Sequence, residues 1–282
     1  MELTAENHRG RGFTGTDLKL AAMAFMFIDH IGAIILERCF VFTQTGEINS
    51  SVYAVDMILR LLGRIAFPIF CFLLVEGFVH TRNRKKYLRS LLIFSVISEI
   101  PFNIALSGSI FFPQNQNVFF TLSIGLIAME LYERLFNTEK GDKKRLAYAF
   151  GIAACLFVAQ LLRADYGFFG VALILIFYVL RGSGARLFFV AGVWLFIGSA
   201  ILNTLLYPAE YMSLLRDYGF YETLLVFLSG GITEAFGILS FGFLAKYNGE
   251  RGTLPFSKYL FYIFYPVHLF ILGIIAGLIQ FF

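Results

Sequence analysis

The chain has 282 residues, 58% of them hydrophobic, 18% aromatic and only 15% charged, with a formal net charge of +4. A soluble domain carries roughly 25% charged residues, so too little charge is present to cover a water-facing surface, and the mean hydropathy of +0.74 agrees. Cys39, Cys71 and Cys155 form no CxxC pair and no metal-ligand spacing, and no basic stripe with interleaved aromatics offers a nucleic-acid surface.

The apolar residues arrive in runs, several approaching the ~20 residues that cross a bilayer core as helix. Residues 1–17 lack an apolar stretch followed by a small-residue cleavage site and read as a retained cytosolic extension. Beyond them, 18–282 read as one all-α polytopic membrane domain of about nine transmembrane helices. In chain order the predicted spans are Leu18–Leu36, Val52–Val79, Tyr87–Leu106, Val118–Leu135, Leu146–Leu162, Tyr166–Leu180, Leu187–Leu206, Tyr221–Tyr247 and Tyr259–Phe281. The eighth is interrupted by Gly230 and Gly231, is polarised by Glu222 and Glu234, and could divide into two shorter pieces.

Lys and Arg alternate between connections. The N-terminus has Arg9, Arg11 and Lys19; the second-to-third connection has Arg82, Arg84, Lys85, Lys86 and Arg89; Arg134, Lys140, Lys143, Lys144 and Arg145 follow the fourth. Arg181 and Arg186 follow the sixth, and Lys246, Arg251 and Lys258 follow the eighth, whereas the intervening connections hold only Arg38, Arg163 and Arg216. The positive-inside rule then predicts a cytosolic N-terminus and an external C-terminus.

Ionisable groups inside the hydrocarbon are costly, and each is a functional candidate. Asp29 and His30 lie in the first span, Arg60 and Arg64 in the second, Glu99 and Asn103 in the third beside Pro101, and His268 in the last, three residues after Tyr265. At 1.5 Å per residue, His30, Arg64, Glu99 and His268 fall roughly 14–19 Å from their span ends, which predicts a shared polar cavity near the bilayer midplane. Each residue also has a structural reading. Asp29 could neutralise Arg60 or Arg64, Glu99 and Asn103 could serve a proline-broken helix, and Tyr262 and Tyr265 could be packing aromatics. A neutral His suits a general base, and two Arg on one helix face suit a phosphate or a polarised carbonyl. No Walker loop, HExxH site, GxSxG elbow or dinucleotide fingerprint occurs. Group transfer and proton-coupled transport remain, with a non-catalytic assembly factor as a further alternative.

Three strings carry a resemblance: LKLAAMAFMFIDHIG (Leu18–Gly32), RLLGRIAFPIFCFLLVEGF (Arg60–Phe78) and YNGERG…KYLFYIFYPVHLFIL (Tyr247–Leu272). Together they resemble the TraX family, whose namesakes in conjugation systems N-acetylate the processed pilin. Lys19 followed eleven positions later by His30, and Arg60, Arg64, Ile65 and Pro68, also look like the first two motifs of the membrane acyltransferases that modify surface polysaccharides. The resemblance implies transfer of an acetyl group from cytosolic acetyl-CoA to an amine or hydroxyl acceptor, in a bacterial inner membrane, with no metal. His30 is then the expected base, Asp29 the electrostatic partner of Arg60 or Arg64, and the two Arg the stabilisers of a developing oxyanion. Glu99 and Asn103 are expected to line the acceptor side, with His268 completing the cavity from the last helix. Lys19, Arg64, Arg82, Arg84, Lys85, Lys86 and Tyr265 are the expected donor contacts, although loop cations are also what orientation alone requires. The acceptor could be a peptide, a sugar or a small molecule, and a homodimer is compatible with the sequence without being demanded by it.

Overall fold

The computed structural model describes residues 12–43, 46–253 and 257–281, so Arg9 and Arg11 and the side chain of Lys258 lie outside the description. Eleven helices are distinguished here: α1 (Gly15–Cys39), α2 (Ser50–Gly63), α3 (Ala66–His80), α4 (Arg84–Ser107), α5 (Val118–Asn137), α6 (Lys143–Leu161), α7 (Gly167–Val179), α8 (Ala185–Leu206), α9 (Pro208–Tyr218), α10 (Phe220–Leu244) and α11 (Ser257–Phe281). No strand occurs among the described residues, and the chain is an all-α polytopic membrane protein.

The helix starts are written in short polar side chains. Thr14 and Asp17 form a capping box on α1, and Asn49, Asn83, Asn117 and Asp142 each accept a backbone N–H in the first turn of α2, α4, α5 and α6. Such caps satisfy donors that the helix leaves open, typically for ~1 kcal/mol each. Gly108, at φ 73°, ends α4 in the left-handed conformation that a side chain would oppose.

All nine predicted segments lie in helices, but not all cross alike. Seven helices among the described residues are long and apolar enough to span, counting α2 and α3 as one broken passage. The other two segments are α5, which carries Glu130, Glu133 and Arg134 near its end, and α7, whose 13 residues make only ~20 Å of helix. The second predicted span is broken by a turn at Arg64 and Ile65. The eighth stays helical through Gly230 and Gly231, tightening into a 3₁₀ turn over Phe236–Leu239. The amphipathic α9, entered through Pro208, was not among the predicted elements; its polar sequence reads as a connection.

One contiguous apolar core runs through the bundle, from Leu18 and Ile69 to Phe169, Leu173 and Leu269. Within it α1, α4 and α11 run parallel. Phe94 stacks on Tyr262, with ring centroids 4.9 Å apart, and about three turns further along both helices Gly273 packs against Ile104 and Ala105. Arg38, at the end of α1, ties the far ends together: it donates to the Ile104 and Ala105 carbonyls, both at 2.9 Å, and to Gln280 at 3.0 Å. A guanidinium at the last carbonyls of a helix complements its dipole. Parallel packing brings residues halfway along these helices to one level, which positions the site.

Candidate functional site

Two clusters meet at the middle of the bundle. The first is ionic. Asp29 on α1 accepts from Arg60 at 2.9 Å and from Arg64 at 2.8 Å, and Arg64 also reaches Glu234 on α10 at 2.7 Å. Arg64 and Asp29 are nearly enclosed, with side-chain exposures of 11% and 13%, and Glu234 retains 17%. The break between α2 and α3 makes this geometry. With Arg64 in the turn, its Nε donates to the Arg60 carbonyl at 3.2 Å and both terminal nitrogens are free for carboxylates. Gly63 lets α1 approach: a Cβ there would lie 2.2 Å from Asp29 Cβ. Gly32 does the same on the next turn, where a Cβ would lie 2.8 Å from Asp56 Oδ1 and 3.1 Å from Arg60 Cδ.

The second cluster is the histidine pair. His30 Nδ1 and His268 Nε2 are 2.7 Å apart, and His268 Nδ1 is 2.7 Å from the Phe264 carbonyl. A carbonyl oxygen can only accept, so His268 Nδ1 carries a proton. In the neutral pair His268 Nε2 is then bare and accepts from His30 Nδ1–H, which leaves His30 Nε2 with an open lone pair. Two linked imidazoles fixed by a main-chain carbonyl thus present one proton acceptor and a second ring to share the charge. α1 widens into a π-helical segment, Ile31–Leu36, directly after His30; such segments frequently occur at functional sites.

Around these clusters the structure distributes the other candidates. Tyr265 lies edge-on to both imidazoles, with centroids 6.2 Å from His30 and 5.8 Å from His268. Glu99 accepts from the Asn117 amide at 2.6 Å, while the same amide donates to the Ser95 carbonyl at 2.7 Å. Asn103 turns to the chain instead, donating to the Ile110 carbonyl at 3.3 Å. Of the cations, Lys19 covers the Phe261 ring at 5.0 Å, and Arg82, Lys85 and Lys86 are exposed where α4 begins. Arg84 is held by Glu130 at 3.0 Å and Glu133 at 2.6 Å, above the face of Phe78.

Several neighbours escape a reading of the sequence alone. Glu234 was visible as a polar residue in an apolar segment, but its pairing across 170 residues was not. Asn117 and Asp165 sit in connections, where polar residues are ordinary. Asp165 lies in the field of Arg64 and Asp29, and burial pushes its carboxyl up to about 6. Asp56 is a buried carboxylate beside Arg60 whose Oδ1 lacks a hydrogen-bond partner.

Comparison with known proteins places the chain. It is 30% identical over 274 residues to the probable fimbrial assembly protein FimC, serogroup H1, of Dichelobacter nodosus, covering 94% of this chain and 96% of that protein. No solved structure matches it. The family model described as TraX protein matches residues 14–276, which includes both histidines, the Asp29–Arg60–Arg64 cluster and Glu234, and the chain therefore belongs to the TraX family.

Proposed function

We propose that this protein is an integral membrane acyltransferase of a bacterial inner membrane, moving an acetyl group from acetyl-CoA to an amine or hydroxyl acceptor that belongs to a surface fibre or its assembly. The observation that carries the proposal is the open His30 Nε2, aligned by His268 and set beside the Asp29–Arg60–Arg64 cluster. The name of the Dichelobacter nodosus relative supports the link to fibres.

The chemistry is direct transfer. The acceptor N–H or O–H loses its proton to His30 Nε2 as its lone pair attacks the thioester carbonyl carbon. The new C–N or C–O bond forms, the C–S bond breaks, and the proton returns through His30 to the leaving CoA thiolate or to water. His268 shares the positive charge by taking the His30 Nδ1 proton while the pair is charged. Asp29 lies one residue from the forming imidazolium and favours it electrostatically, while Arg60 and Arg64 keep Asp29 ionised. Donor phosphates fit the end where α1, α4 and α11 begin, with Lys19, Arg82, Lys85 and Lys86 as partners; Arg84, tied to two glutamates, orders that surface instead. With a cytosolic N-terminus, this end faces cellular acetyl-CoA.

The test is thiol release from acetyl-CoA by the purified protein in detergent, offered panels of primary amines, short peptides and sugars. Acceptor-dependent release that disappears in His30→Ala supports the proposal. Absence of release with every panel, together with solute counterflow in proteoliposomes, would replace it with a transporter. Normal fibre assembly in cells carrying His30→Ala would replace it with a non-catalytic assembly role.

A further inference from the structure

The Tyr265 hydroxyl is a buried polar group that the packing does not explain. The residue is 3% exposed, and its O–H finds no acceptor among the described residues; the Val118 main-chain N–H beside it can only donate to the phenol oxygen. Leaving a buried hydroxyl unsatisfied costs roughly 1–3 kcal/mol, and such groups are rare enough in native structures to require a reason. A phenylalanine would fill the same space against Phe119, whose ring meets Tyr265 edge-on at 5.2 Å. The hydroxyl is therefore present for something other than the core.

Its surroundings indicate what. The ring stands edge-on to His30 and His268, and Glu99 and Asp165 both lie within electrostatic range of the phenol. Glu99 is occupied by Asn117 and is not bonded to the phenol. The main chain of Asp165 is held by Thr121, whose hydroxyl donates to the Asp165 carbonyl. A neutral phenol offers an O–H to an acceptor, so the group is a donor rather than a nucleophile. Arg60 and Arg64, the other groups suited to stabilising an oxyanion, spend contacts on Asp29 and Glu234. Tyr265 is the neutral donor left next to the base.

Resting on the acyltransferase reading, we infer that Tyr265 is a catalytic residue whose hydroxyl hydrogen-bonds the carbonyl oxygen of the transferred acetyl group. As the acceptor attacks, the carbonyl π pair moves onto oxygen, and the O–H of Tyr265 donates to that developing oxyanion without transferring its proton. Collapse of the intermediate restores the carbonyl, expels the CoA thiolate and frees the hydroxyl. The partner that the phenol lacks in the unliganded protein is thus supplied by the reacting atom, where a preorganised donor has most effect.

The experiment compares wild type with Tyr265→Phe, using acetyl-CoA and whichever acceptor in the amine, peptide and sugar panels gives the highest wild-type rate. Thermal melting in detergent is measured on the same samples. The expected result is a kcat lowered about 10²–10³-fold, an unchanged KM for acetyl-CoA and a melting temperature that is unchanged or higher. A kcat within threefold of wild type overturns the assignment, and so does a lower rate that is accounted for by loss of folded protein. A wild type that releases no thiol from acetyl-CoA overturns the acyltransferase reading itself, and the role of Tyr265 with it.

Discussion

Removing Arg64 is the sharpest probe of the ionic cluster. Arg64→Ala leaves Asp29 with Arg60 at 2.9 Å but takes from Glu234 its ion-pair partner at 2.7 Å, in a site where Arg64, Asp29 and Glu234 are 11–17% exposed. Breaking a buried pair from one side costs about 3–5 kcal/mol, because the remaining charge stays out of water without compensation. For a chain of this size a kcal/mol corresponds to about 2 °C of melting temperature, so a fall of about 6–10 °C is expected. The double variant Arg64→Ala/Glu234→Gln removes the stranded charge and should recover at least half of that fall, although it carries one more substitution. Melting of Arg64→Ala, Glu234→Gln, the double variant and wild type, in one detergent and at one pH, completes the cycle. Arg64→Ala melting with wild type, or a double variant lower than Arg64→Ala, would show that Glu234 does not depend on Arg64.

Three further perturbations follow from the same geometry. His268→Ala removes the acceptor for His30 Nδ1–H and should lower kcat for thiol release by about 10²-fold or more, with little change in the KM for acetyl-CoA. An unaltered kcat would show that His30 acts alone. Gly63→Ala would place a methyl 2.2 Å from Asp29 Cβ, forcing α1 from the α2–α3 break; overpacking of this kind costs about 1–3 kcal/mol, and loss of the Asp29 pairs adds to it. A well-folded, active Gly63→Ala protein would contradict the close approach. Asp165 provides the pH dependence. Its carboxyl is raised from 3.8 to about 6, so between those values the folded state binds more protons than the unfolded state, and stability is lost as pH rises through about 6. Asp165→Asn should therefore melt above wild type at pH 8 and converge with it near pH 4; a constant difference across that range would refute the burial of this group.

The helices were legible because each apolar run is long and is bounded by charge or by a capping residue. What stayed hidden was local. The break at Arg64 and Ile65 lies inside one continuous predicted span, with Gly63 and Pro68 as its visible signs, and α9 is too polar to register as a span. The site divides in the same way. His30, His268, Asp29, Arg60 and Arg64 stand out because ionisable groups are rare in hydrocarbon, and the fold joins them into two bonded clusters. Asn103 stands out as a polar amide in an apolar run yet serves its own helix end, donating to the Ile110 carbonyl. Asp165 and Asn117 carried no signal, since a polar residue in a turn is unremarkable until folding buries the turn. Pairings such as that of Arg64 with Glu234 depend on how helices are arranged around one another, which a single chain does not write into its local pattern.

The two histidines that share a hydrogen bond are 238 positions apart, one in the first helix and one in the last. At 5–20 residues per second of synthesis, the ring of His30 waits roughly 12–48 s for its partner to be made. Until α11 enters the bilayer and settles beside α1, the pair does not exist, and nothing fixes which nitrogen of His30 is bare. A chain without α11 therefore holds the charged cluster and an unaligned His30. The contact that seats α11 against α1 is thus also the one that sets the orientation of the His30 ring.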